Sequence, residues 1–251
     1  MGMPPPDDGL PEVTVRPTID PGDVADVRSF YVNSTVQPFR YDDGPESYAV
    51  FIAEAIASFG PSSVLEFGCG AGRNLAVLRE LTAARLVGVD LNPAAIAWGR
   101  DNFGLDLRVG DEAWLPAQGR DAFDIVYTVS VIDHIPEPEA AVAALIAAAA
   151  EFVVIYEIMH RETGRLAQME DRQGQPTEGY PFSYFHDYPR LFASSGAWNL
   201  ADIALPAGPT GVLPYYRLQV YSKRWAWRRQ KLVSLLRLQR PMPDPPDPPA
   251  R

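Results

Sequence analysis

Between Ser63 and Glu157 short apolar runs alternate with stretches of helical spacing, and this alternation restricts the fold more than any other feature. The runs are Ser63 to Phe67, Arg85 to Asp90, Leu105 to Val109, Phe123 to Thr128 and Phe152 to Glu157. Between them, Arg73 to Leu81 places Leu75, Leu78 and Leu81 on one side of a helix. Pro93 to Asn102 opens with proline in its first turn, and Glu139 to Ala149 is alanine-rich. Strands that alternate with helices need crossover connections. The expected core is therefore a parallel sheet covered by helices on both faces, an α/β doubly wound architecture.

The flanks extend this frame. Trp198 to Leu205 and Tyr215 to Ser222 alternate as strands, and Pro206 to Pro214 joins them, which predicts an antiparallel hairpin at the sheet edge. Glu46 to Phe59 reads as a helix stopped by Gly60-Pro61, and Asp23 to Tyr31 as a shorter one. Tyr188 to Ser194 is a helix ending at Gly196. The expected organisation is one domain over residues 23–222, with a lid or insert at 158–187. Residues 1–22, rich in Pro, Asp and Gly, are expected to be loosely ordered. Residues 223–240 form a basic helix, and 241–251 a Pro-rich tail.

The first strand runs into "VLEFGCGAGRN", Val64 to Asn74, with Gly68, Gly70 and Gly72 at alternate positions. In an open parallel sheet, ligands bind beyond the carboxyl ends of the strands, and the first strand-to-helix turn is the usual place. Asp90 ends the second strand, where a carboxylate can accept hydrogen bonds from ribose hydroxyls. Both features suit an adenosine-containing cofactor. The dinucleotide pattern G-x-G-x-x-G fails, because its third glycine falls at Arg73. Glu66, just before the turn, would repel a diphosphate and suits a positive ligand. A sulfonium and an ammonium, as in S-adenosylmethionine, meet that requirement. An NAD-linked oxidoreductase is disfavoured on both counts.

At this point the chain resembles the class I S-adenosylmethionine-dependent methyltransferases, in their type 11/12-like small-molecule group. The resemblance covers about Ser63 to Ser222. "VLEFGCGAGRN" matches the first motif, "VGVDLNP" (Val87 to Pro93) the second, "GDEAWLP" (Gly110 to Pro116) the third, and "FDIVYTVSVIDHIPEP" (Phe123 to Pro138) the fourth strand and its turn. It implies a Rossmann-like, seven-stranded, mostly parallel sheet with an antiparallel C-terminal hairpin. It also implies S-adenosylmethionine as cofactor and S-adenosylhomocysteine as product. Carried over residue by residue, Gly68 and Gly70 pass beside the methionine moiety, with Cys69 as a small space-filler and Asn74 beside them. Glu66 orients the loop or holds the ammonium through water. Asp90 binds the ribose, Leu91 packs on the adenine, and Asp111 with Glu112 borders its edge. Thr128 and Ser130 lie near the methionine end.

Methyl transfer is an in-line displacement, so the protein mainly aligns the acceptor and excludes water. A general base is needed only when the nucleophile must lose a proton. The candidates are His134 in "IDHIPEP", His160 after the fifth strand, and His186 in "YPFSYFHDYPRLF". In that last stretch Asp187 either raises the basicity of His186 or caps the next helix, and the aromatics are either pocket lining or lid core. Tyr31, Tyr41, Tyr184 and Tyr188 are candidate substrate contacts. Asp133, Glu157 and His160 could face a metal, but their spacing demands none, and no metal is expected.

The formal charge of −10 disfavours nucleic acid as a partner. The exception is "KRWAWRRQKLVSLLRLQR", Lys223 to Arg240, with seven basic residues and no acid. Such a helix can rest on anionic lipid, on the acidic body of its own domain or on a second subunit as a homodimer contact. The single cysteine and an N-terminus without a signal peptide suggest a cytoplasmic protein. The expected activity is methyl transfer to oxygen or nitrogen of a small molecule, a sugar or natural-product intermediate. The alternatives are a non-catalytic protein on the same fold, or a methyltransferase of proteins or lipid-linked glycans.

Overall fold

The computed structural model describes residues 14–16, 23–34, 47–159, 163–170, 176–177, 183–204 and 216–223. In chain order the elements are β1 (Thr14–Arg16), α1 (Asp23–Asn33), α2 (Ser47–Ser58), β2 (Ser63–Phe67), α3 (Arg73–Arg79), β3 (Arg85–Asp90), α4 (Pro93–Phe103) and β4 (Asp106–Val109). A 3-10 helix (Glu112–Gln118) leads to β5 (Phe123–Val129), followed by a 3-10 turn (Ile132–His134). Then come α5 (Glu139–Ala148), β6 (Ala149–Ile158), β7 (Gly164–Glu170), β8 (Pro176–Thr177), β9 (Tyr184–Phe185), α6 (Tyr188–Ser194), β10 (Trp198–Ala204) and β11 (Tyr216–Ser222).

The main sheet has seven strands in the order β10-β11-β6-β5-β2-β3-β4. The pairs β2–β3, β2–β5, β3–β4 and β5–β6 are parallel. β11 runs antiparallel to both β6 and β10, the expected C-terminal hairpin. The strand order reverses between β2 and β5, and that reversal opens the crevice in which the glycine turn sits.

Two apolar cores explain why the strands read as continuous hydrophobic runs. On one face Val64, Ile125, Tyr127, Val154 and Leu218 pack with Ile52 and Ile56 of α2 and with Leu75 and Leu78 of α3. On the other, Leu65, Phe67, Val126, Val153 and Ile155 pack with Val142, Leu145 and Ile146 of α5 and Phe192 of α6. Neighbouring residues of each strand alternate between the two cores, and each fully buried Leu or Ile contributes about 1.5–3 kcal/mol.

Local signals set the helix ends that frame the site. The Asn92 side chain accepts from the N–H groups of Ala94 and Ala95, both at 3.0 Å, with Pro93 in the first turn. Gly104, at φ 63°, closes the same helix.

Two expectations change. Thr14–Arg16, inside the stretch expected to be loosely ordered, pairs antiparallel with β7. Its sequence TVR contains β-branched residues, and the edge of β7 supplies backbone partners that composition does not reveal. The insert at 158–187 likewise contains strands: β7 pairs with β1, β8 and β9. Tyr41, His160 and the basic segment beyond Lys223 lie outside the described residues. Lys223 itself donates to the carbonyls of Ile146 and Ala147 at 3.0 and 3.3 Å and pairs with Asp121, so that segment starts against its own domain. Among the described residues no helix is long and apolar enough to cross a membrane.

Candidate functional site

Gly68, at φ +73°, turns the chain out of β2, and the N–H groups of Gly68 and Cys69 bond the Val89 carbonyl at 2.8 and 3.1 Å. A Cβ at Gly68 would overlap the Val131 side chain, so only glycine lets the turn and the loop after β5 meet. Asp90 locks the same turn from below. Its two carboxylate oxygens accept from the N–H of Gly70 and the N–H of Asn92, each at 2.8 Å. Each carboxylate oxygen has a second lone pair, so Asp90 holds the loop and keeps acceptor capacity toward the crevice.

Glu66 lies beneath the turn and is 1% exposed. The Asn74 amide, on the first turn of α3, donates to its Oε1 at 2.7 Å. Its Oε2 is buried without a hydrogen-bond partner. The sheet register sets Tyr127 directly beside it, on the same face. Burial pushes the Glu66 carboxyl up to about 8, against the pull of Asn74 and Tyr127 and with a further push from Asp90. Burial, then Glu66 and Asp90, push the Cys69 thiol well above its ordinary value, which fits a space-filler and removes it as a nucleophile.

These features fit S-adenosylmethionine. The turn brings backbone close to a ligand, an orphaned buried carboxylate oxygen suits a cationic group, and Asp90 suits a ribose. The buried carboxyl of Glu66 beneath the turn would oppose a diphosphate.

Asp111, expected at the adenine edge, has partners within the chain. Asp111 pairs with Arg28 of α1 and accepts from the N–H of Ala113 at 3.0 Å, capping the 3-10 helix. The Arg28 guanidinium holds its carboxyl below the usual range. Leu91 and Glu112 are half-buried at the crevice rim. Asn92 continues the strap: its amide donates to the carbonyls of Tyr31 and Ser34 at 3.1 and 2.9 Å. The Tyr31 ring lies 5.0 Å from the His134 ring. The helix α1 thus crosses the ends of β3, β4 and β5. Arg28 and the second role of Asn92 carry no signal in the local sequence, because their partners are some sixty to eighty residues away.

Beyond β5 a buried acid pair appears. Glu157 is 0% exposed and Asp133 1%. Glu157 accepts from the backbone N–H groups of Val131, Ile132 and Asp133, each at 3.2 Å, and from the Thr128 hydroxyl at 3.4 Å. The Ser130 hydroxyl lies 2.9 Å from the Tyr216 hydroxyl and 3.3 Å from Asp133. Thr128 is wholly buried against Glu157, and Ser130 is half-buried. His134 Nε2 is 3.7 Å from Asp133.

His186 does not pair with Asp187. Its Nε2 bonds the Ile135 carbonyl at 3.0 Å, while Asp187 accepts from the N–H of Arg190 at 3.1 Å and caps α6. Val131, at the start of that loop, packs on Gly68, and Ile135, at its end, holds His186. His186 is thereby tied to that loop. Burial lowers its basicity, the reverse of activation by a carboxylate. Tyr184 and Tyr188 are both fully buried from solvent. Tyr184 lines, with His186, Arg190, Glu139 and Thr163, a cavity of about 390 Å³. Among the described residues no cluster of three or more His, Cys, Asp or Glu is placed to hold a metal.

A family profile described as a methyltransferase domain matches residues 43–195. No curated protein sequence is a significant match. Among solved structures, the fold is similar to that of Burkholderia thailandensis 1,6-didemethyltoxoflavin-N1-methyltransferase, solved with 1,6-didemethyltoxoflavin and S-adenosylhomocysteine. The TM-score is 0.56 and the identity 19%, over 84% of this chain and 93% of that one. Magnesium protoporphyrin IX methyltransferase from Synechocystis PCC 6803, with S-adenosylhomocysteine, gives 0.54 and 14%, over 80% and 99%. A S-adenosylmethionine-dependent methyltransferase from Aquifex aeolicus gives 0.52 and 18%, over 75% and 98%. With the profile spanning more than half of its length, the chain belongs to the class I S-adenosylmethionine-dependent methyltransferases.

Proposed function

We propose that the protein transfers a methyl group from S-adenosylmethionine to an oxygen or nitrogen of a small molecule, a sugar or natural-product intermediate. The observation that carries this reading is the Gly68 turn clamped by Asp90 over a buried Glu66 whose second oxygen has no partner. When bound there, S-adenosylmethionine supplies a methyl carbon already activated by positive sulfur. Asp90 would receive the ribose and Glu66 would balance the ammonium. The protein's part is alignment and exclusion of water, for which α1 across the crevice is suited.

The acceptor side supports a flat or ring-shaped small molecule. Tyr48, Tyr156 and Tyr216 stack in series with ring centroids 5.5 and 5.0 Å apart, beside the Ser130 hydroxyl. The acidic body opposes polyanions. One cysteine in the whole chain supports a reducing, cytoplasmic setting. The test is methyl transfer from labelled S-adenosylmethionine into a panel of phenols, sugars and heterocyclic amines. Label in a product of one class is expected. Cofactor binding with no transfer to any of them would overturn the acceptor reading.

A further inference from the structure

The groups past β5 form an ordered chain from the crevice into the interior. Tyr216, half-buried at the start of β11, is its outer end. Its hydroxyl meets the Ser130 hydroxyl at 2.9 Å, and Ser130 donates toward both Asp133 oxygens at 3.3–3.4 Å. Asp133 is hydrogen-bonded to Glu157, the acid cradled by three backbone N–H groups. Ser130 sits at φ +52°, a left-handed conformation that a serine adopts at a cost and that aims its side chain along this line. The fully buried hydroxyl of Tyr188 has no hydrogen-bond partner and lies within electrostatic reach of both carboxylates. The cluster therefore holds a donor that no described group of the protein takes up.

We propose that Tyr216, Ser130 and the Asp133–Glu157 pair form a relay that removes the proton of a hydroxyl acceptor during methyl transfer. This rests on the methyltransferase reading above. The acceptor oxygen's lone pair forms the bond to the methyl carbon, and the carbon–sulfur bond breaks with its electrons left on sulfur. The acceptor's proton passes to the Tyr216 oxygen as the tyrosine proton moves to Ser130 and the serine proton to the acid pair. Charge balances: the cationic donor becomes a neutral thioether, and the singly negative pair becomes neutral. Asp133 and Glu157 act through the hydroxyls and are positioning residues; Tyr216 is the member that meets the acceptor.

The acid pair has the chemistry for this. Burial raises both carboxyls, Asp133 to about 6 and Glu157 further because the two repel each other. Near neutral pH the pair holds one proton, and it accepts a second as pH falls through about 6, as a unit. The titratable groups around it are His134 on the turn, Tyr156 on β6, Tyr188 on α6 and Tyr216 on β11. Among the described residues none of these is a permanent cation.

The test is infrared titration of the carboxyl band in the wild type, Asp133→Asn and Tyr216→Phe. It is combined with calorimetry of S-adenosylmethionine binding and with the acceptor panel. The relay predicts a protonated carboxyl that grows as pH falls through about 6 and is altered in Asp133→Asn but kept in Tyr216→Phe. Tyr216→Phe should bind S-adenosylmethionine normally and transfer to hydroxyl acceptors at least tenfold more slowly. Asp133→Asn should move the acid limb of the rate profile. Wild-type rates in Tyr216→Phe, or a carboxyl titration near pH 6 that Asp133→Asn leaves unchanged, would overturn the relay alone. Failure of the wild type to bind S-adenosylmethionine, seen before any acceptor is added, would overturn the underlying reading and the relay with it.

Discussion

Replacing Glu66 by Gln should stabilise the protein free of cofactor, and increasingly so as pH rises. The folded carboxyl keeps its proton to about pH 8, against an ordinary value of 4.5. An unfolded glutamate ionises first, so between those two values the unfolded state binds fewer protons. The contribution of Glu66 to stability is then full below pH 4.5 and is lost as pH rises to 8. The shift corresponds to about 5 kcal/mol at 1.36 kcal/mol per unit. Gln removes this dependence and keeps an oxygen for the Asn74 amide. Its new N–H group can meet the neighbouring Tyr127 hydroxyl, which is buried without a hydrogen-bond partner. The assay is thermal unfolding of wild type and variant at matched pH from 5 to 8, read as the difference in Tm. That difference cancels the titration of Asp133 and Glu157, which both proteins share. It should widen by roughly 7–14 °C, because about 3.5 kcal/mol of the total falls between pH 5 and 8, at about 2–4 °C per kcal/mol for a domain of this size. A difference that stays constant with pH would refute a protonated Glu66. The same logic makes S-adenosylmethionine binding release a proton below pH 8, because the ammonium favours the ionised acid. Calorimetry in buffers of different ionisation enthalpy reads that release.

Three further outcomes follow from the geometry. Gly68→Ala places a Cβ against Val131 in a left-handed turn and should cost roughly 2–4 kcal/mol in denaturant unfolding, partly recovered by adding Val131→Ala. Asn92→Ala removes a helix cap worth about 1 kcal/mol and the tie to α1, so protease cutting near residues 31–34 should quicken while secondary structure by circular dichroism is kept. His186→Ala frees the Ile135 carbonyl and should slow turnover without shifting the acid limb of its pH profile, since the histidine supports the loop and takes no proton.

The sheet was legible because each strand carries its own apolar run. Asn92-Pro93 and Gly104 mark α4 within a few residues of where it begins and ends. The glycine turn was legible for the same reason: Glu66, Gly68, Gly70 and Asp90 lie at strand ends whose positions the alternation sets. The buried acid pair was not. Asp133 and Glu157 are 24 residues apart and meet only because β5 and β6 are neighbours. Nothing near either residue announces a partner, and their spacing in the sequence demanded no metal. In the sequence, Asp187 could either activate His186 or cap the next helix. Helix α6 needed a cap for its first N–H groups and took the aspartate, and the histidine turned to the Ile135 carbonyl. Arg28 and Tyr216 were invisible for want of any local pattern, since each is defined by what lies across the crevice.

The most direct test of the site is calorimetric titration of wild type and Asp90→Ala with S-adenosylmethionine and, separately, with NAD. The wild type should bind S-adenosylmethionine at micromolar concentration and ignore NAD. Asp90→Ala should lose more than tenfold in affinity, since charge-assisted hydrogen bonds contribute about 1.5–3 kcal/mol each and the Gly70 N–H loses its anchor. Equal affinity in the variant, or binding of NAD in place of S-adenosylmethionine, would contradict the account.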